Sequence, residues 1–128
     1  MAKKILIIDD DPDIVDAMKL VLETRGYAID YAYDGEEGMK KAKAILPDLI
    51  ILDVMMETID EGFHVSYKLK EDPKLAKIPV LMATAIGQVT KFKFDKERDR
   101  DFMPVEEFVE KPVKPDVLIK TVERLLAE

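Results

Sequence analysis

Two patterns of apolar residues alternate along this chain. Ile5–Ile8, Leu49–Leu52 and Val80–Ala83 are short, unbroken apolar runs. Such runs suit strands covered on both faces. "YAIDYAY" (Tyr27–Tyr33) reads as another strand, and "EFVEKP" as a fifth that ends at Lys111. Between the strands the period changes. Ile14, Val15, Met18, Val21 and Leu22 recur at helical spacing, with Pro12 in the first turn and Gly26 just past the end. Asp34 is placed to cap a helix over about Glu36–Ala44, which stops before Pro47. A third helix is expected over about Gly62–Glu71. A last one spans about Asp116–Ala127, with Leu118, Thr121, Val122, Leu125 and Leu126 on one face.

From Ile86 to Val105 the pattern loses its period. Phe92 and Phe94 alternate as in a strand, whereas the charges of "VTKFKFDKERDRDF" fit a solvated helix. An irregular fourth helix is expected there. Strands alternating with helices predict right-handed βαβ units and a parallel sheet with helices on both faces. No repeat or Gly/Pro/Ser-rich linker interrupts the chain, so residues 1–128 read as a single domain.

Composition narrows the function. Of 128 residues, 48% are hydrophobic and 37% charged, which fits a folded soluble protein. No apolar run approaches the roughly 20 residues that span a bilayer, and the start has no signal-peptide core. The expectation is a cytoplasmic protein with no membrane partner. Cysteine is absent, which removes disulfides, thiolate metal sites and a cysteine nucleophile. Twenty Lys and Arg against 27 Asp and Glu leave a net charge of −7. This argues against direct nucleic-acid binding and leaves cations as natural ligands.

The strand ends carry the chemistry. In open parallel sheets, function gathers at the carboxyl ends of strands near the point where strand order reverses. Here those ends bear Asp9 and Asp10, then Asp53, Thr84 and Lys111. Neighbouring carboxylates repel one another unless a positive charge sits among them. An all-oxygen set points to a hard divalent cation, Mg²⁺ first. Taken singly, each residue has a plainer explanation. Asp11, just before Pro12, is a turn former or helix cap; His64 sits among charges as a surface residue; the seven methionines fill core space. No glycine-rich phosphate loop is present, and His64 and Ser66, the sole histidine and serine, make no nucleophilic triad.

The blocks "ILIIDDDP", "LIILDVMM", "VLMATA" and "FVEKPVKP" together resemble the receiver domain of two-component response regulators, over essentially the whole chain. The resemblance implies a flavodoxin-like, doubly wound five-stranded sheet of order 2-1-3-4-5. It implies a signalling phosphoacceptor rather than an enzyme. Asp53 would take a phosphoryl group from the phosphohistidine of a sensor histidine kinase or phosphotransfer protein. Asp10 would contact Mg²⁺ directly and Asp9 through water, with Asp53 and the Met55 carbonyl completing the protein's share. Thr84 would hydrogen-bond a phosphoryl oxygen, Lys111 would pair with the phosphoryl group, and Phe108 would be the switch aromatic. The Lys111–Pro112 bond is commonly cis in the family. The output would be binding of a downstream protein whose identity the sequence does not carry.

Departures from the family pattern cluster beside Asp53. "MMETIDEGF" places Glu57 where a proline is usual and delays Gly62 by one residue. The acids Glu57 and Asp60 there bear on metal affinity and phosphoryl lifetime. The segment between Thr84 and Lys111 is longer and more charged than usual, and Val113 replaces a usual Phe. Two rival readings stand beside this one. A Mg²⁺-dependent aspartyl phosphohydrolase commonly needs a second acid two residues after the nucleophile, where this chain has Met55. A receiver-fold scaffold that is never phosphorylated would have no use for Asp10, Asp53, Thr84 and Lys111 together. The chain reads equally as a stand-alone regulator or as a receiver cut from a longer protein.

Overall fold

The computed structural model describes residues 3–53, 68–85, 107–111 and 114–126. Five strands, β1 (Lys4–Ile8), β2 (Ala28–Ala32), β3 (Leu49–Asp53), β4 (Val80–Ala85) and β5 (Glu107–Lys111), form one sheet. All pairs are parallel and the order is β2-β1-β3-β4-β5, as the alternation and the resemblance predict. Three helices are described, α1 (Pro12–Glu23), α2 (Gly35–Ile45) and α3 (Pro115–Leu126). Residues 68–71 are helical and form the described end of the predicted third helix. The predicted fourth helix, Met55, Glu57, Asp60, Gly62, His64 and the Lys111–Pro112 bond lie outside the described residues.

The period-two geometry of the strands sorts the core into two layers. Ile5, Ile7, Leu49, Ile51 and Leu81 pack with α1 and α3 through Val15, Leu22, Leu118 and Val122. Leu6, Ile8, Ile50, Leu52 and Met82 pack on the other face with Ala42, Leu69, Leu75 and Ile78. The four apolar residues of β1 are wholly inaccessible. Each buried aliphatic side chain contributes about 1.5–3 kcal/mol of transfer free energy. This double burial is why the strand sequences read as unbroken apolar runs.

Local signals place the helices. Asp11 caps α1, its carboxylate accepting from the Asp13 N–H at 3.0 Å, with Pro12 at the first helical position. Asp34 caps α2 by accepting from the Glu37 N–H at 2.7 Å. Both of these aspartates do what the sequence suggested. Gly38 lets α2 press onto β1: a Cβ added there would lie 2.6 Å from Ile8 Cδ1 and 2.8 Å from its Cγ1.

Among the described residues, β2 is the outermost strand on one side of the sheet. Ala28 N–H donates inward to the Lys3 carbonyl and the Ala32 carbonyl accepts inward from Asp9 N–H. Backbone groups alternate in direction along a strand, so those of Tyr31 point outward. Both are occupied by side chains. The Tyr31 N–H donates to the Asp30 carboxylate at 2.8 Å, and the Tyr31 carbonyl accepts from Lys41 Nζ. Lys41 also pairs with Asp30 at 3.2 Å and Glu37 at 3.6 Å, and sits 5.1 Å from the Tyr31 ring centre. Burial works against the Lys41 charge, but the hydrogen bond to Asp30 and the Asp30 and Glu37 carboxylates outweigh it and raise its pKa. This clip leaves an incoming strand no open backbone group at Tyr31.

Candidate functional site

β1 lies between β2 and β3, so its carboxyl end opens at the point where the strand order reverses. The chain leaves that end through Asp9 and Asp10. Asp9 is held twice: its N–H donates to the Ala32 carbonyl at 3.1 Å, and its carboxylate accepts from the Asp11 N–H at 2.9 Å. Asp11 in turn caps α1, so one turn ties the strand end, the acid and the helix start together.

Asp53 ends β3 one residue later than the apolar run suggested, paired with Ala83 of β4. One carboxylate oxygen each from Asp9, Asp10 and Asp53 falls within a cluster no wider than 4.8 Å. Asp9 and Asp53 are buried, at 1% and 2% exposure, whereas Asp10 faces solvent. Unit charges so close repel by roughly 3–4 kcal/mol at an effective dielectric of about 20. A bound cation offsets that repulsion. The donors are hard oxygens, and the cluster approaches the about 4.2 Å that separates opposite ligands of Mg²⁺. The three acids therefore suit that ion.

Thr84 and Lys111 are placed by strand register. Thr84 stands one residue beyond Ala83, the partner of Asp53, and Lys111 ends β5 opposite Ala85. The backbones of Asp53, Thr84 and Lys111 thus lie at the carboxyl ends of three adjacent strands. Phe108 sits further back in β5, opposite Met82. Met55 lies outside the described residues. Two supports of the site escaped the sequence reading. The Ala32 carbonyl that holds Asp9 has no sequence signature. Gly38, which sets α2 against the residue before Asp9, does: a glycine inside a predicted helix costs about 1 kcal/mol relative to alanine, and the close approach to Ile8 accounts for it.

Residues 5–123 match the model of the response regulator receiver domain. The chain belongs to this family. It is 41% identical over 123 residues to the DNA-binding dual master transcriptional regulator RpaA of Synechocystis sp., covering 96% of this chain and 48% of RpaA. It is 30% identical over 125 residues to the protein PilH of Pseudomonas aeruginosa, covering 97% and 98%. The chemotaxis response regulator CheY4 of Vibrio cholerae superposes with a TM-score of 0.84 at 27% identity, covering 98% of this receiver and 99% of that chain. The receiver spans about half the length of several curated relatives it matches, RpaA among them. Among its described residues, no helix is long and apolar enough to cross a membrane.

Proposed function

We propose that this receiver accepts a phosphoryl group on Asp53 and, in that state, presents an altered surface to a downstream protein. The donor is the phosphohistidine of a sensor histidine kinase or a phosphotransfer protein. One observation carries the reading: three carboxylates from two adjacent strands converge within 4.8 Å, two of them buried, at the strand-order reversal. In the transfer, an Asp53 carboxylate oxygen forms a bond to phosphorus while the P–N bond to the donor imidazole breaks. The imidazole nitrogen keeps the electron pair and takes up a proton.

Asp9, Asp10 and Asp53 would hold Mg²⁺, with the Met55 carbonyl as a further ligand. Bound there, Mg²⁺ supplies positive charge beside the acids and the incoming phosphoryl oxygens. Asp9, anchored on Ala32 and Asp11, fixes the buried side of that set. Lys111 pairs with the phosphoryl group, and the Thr84 hydroxyl donates to one of its oxygens. Phosphorylation adds charge and strong acceptors, which drives the Thr84 movement that Phe108 follows. Phe108 lacks a tyrosine hydroxyl, so its part in the switch rests on packing.

The test is intact mass after incubation with acetyl phosphate and Mg²⁺, for the wild type and Asp53→Asn. A single phosphoryl adduct on the wild type alone is the expected result. An equal adduct on Asp53→Asn would move the site elsewhere. Beryllium fluoride, a stable phosphoryl mimic, separates a fast-hydrolysing receiver from an inert scaffold by its Mg²⁺-dependent binding.

A further inference from the structure

At the end of the sheet where strands begin, opposite the acidic site, a groove of about 340 Å³ opens between the end of α2 and residues 72–75. That volume is near the lower bound, roughly 300 Å³, of sites that take a ligand or an anchoring side chain. Leu46, Pro73 and Leu75 give it an apolar lining, with Lys43 and Lys74 alongside. Leu75 is buried beneath, whereas Leu46 is 49% exposed.

Leu46 is unusual in a second way. It ends α2 in the left-handed conformation, φ 47° and ψ 68°, which glycine adopts far more easily. The chain therefore keeps a large apolar side chain on the surface at a position where its backbone disfavours one. Such outliers point toward function when something uses the side chain. The charges beside it indicate what does. Lys43 and Lys74 are exposed, and neither makes an ion pair among the described residues. Asp72, the acid of the groove, accepts from the Lys74 N–H at 2.8 Å, so its carboxylate is engaged in its own turn. A trough lined by two exposed lysines and one aspartate thus carries a local positive excess on a protein of net charge −7.

We propose that this groove docks an acidic amphipathic segment of a partner protein. An apolar side chain of that segment rests against Leu46 and Pro73, above the buried Leu75, and its carboxylates pair with Lys43 and Lys74. A second copy of this receiver is a poorer occupant, since it brings the same net charge and is repelled at long range. One exposed leucine and two lysines also fall short of what a stable membrane anchor needs.

The test titrates the full chain with a helical peptide bearing leucines on one face and glutamates elsewhere, followed by backbone amide NMR. Its lysine-for-glutamate counterpart and octanoate serve as comparisons. The expected result is saturable shifts centred on Lys43, Leu46, Lys74 and Leu75 with the acidic peptide alone. Leu46→Gly relieves the backbone and should not lower the melting temperature, yet should weaken binding by roughly tenfold. The double change Lys43→Glu with Lys74→Glu should switch preference to the basic peptide. Equal shifts with both peptides, or none with the acidic one at millimolar concentration, would overturn the proposal. Binding of octanoate without the peptide would replace it with a small-carboxylate site.

Discussion

Gly38 of α2 stands so near Ile8 of β1 that an added Cβ would lie 2.6–3.1 Å from three of its side-chain carbons. Ile8 is wholly buried and precedes Asp9, so the packing of one helix glycine bears on the position of the acidic cluster.

Gly38→Ala should therefore destabilise, although alanine is the better helix former by about 1 kcal/mol. Overpacking a filled core typically costs about 1–3 kcal/mol, and a branched, buried Ile8 has few rotamers to retreat into. A net loss of about 1 kcal/mol in urea unfolding is expected, with weaker Mg²⁺ binding. A variant more stable than the wild type would show that Ile8 moves freely.

Mg²⁺ should stabilise the fold by mass action, by about 2.7 kcal/mol once its concentration reaches about a hundred times Kd. Thermal melts of the wild type should rise with millimolar Mg²⁺, and those of Asp53→Asn much less. Identical Mg²⁺ shifts in the two would exclude Asp53 from the metal set.

Lys111→Ala should separate phosphorylation from its consequence. Acetyl phosphate should still label Asp53, at a reduced rate, while amide shifts in β5 around Phe108 shrink strongly. Wild-type shifts in the labelled variant would remove Lys111 from the coupling.

The Lys41 clip predicts a pH signature. Its pKa is raised in the folded state, so its contribution is complete below about pH 10.5 and is lost as pH rises through the higher folded value. Asp30, Glu37 and Tyr31 face it and keep the ammonium in place. The wild type should lose stability more steeply than Lys41→Met as the pH rises above about 10.5. At neutral pH the variant should also self-associate more, because the Tyr31 carbonyl is released on the sheet edge. Light scattering at equal concentration checks this second effect.

The apolar runs of β1, β3 and β4 made the sheet legible because parallel strands are buried on both faces. The aspartate caps were legible for a local reason: Asp11 and Asp34 bond only two and three residues ahead. The convergence of Asp9, Asp10 and Asp53 followed from strand-end position alone. What the chain did not disclose lies in contacts between distant segments. Lys41 reading the outward carbonyl of Tyr31, and the groove between Leu46 and Pro73, depend on how α2 packs, and no local pattern encodes that. Leu46 is the sharper case, since its left-handed backbone sits in a leucine where glycine would have signalled it.

Asp10 and Asp53 are separated along the chain by the whole of α1, β2 and α2, and they meet only once β1 and β3 pair. An extended chain holds no such cluster, so a cation gains a grip only after long-range contacts have formed. Divalent ions should therefore act as a brake on unfolding, lengthening the native lifetime while leaving the early steps of folding at their own pace.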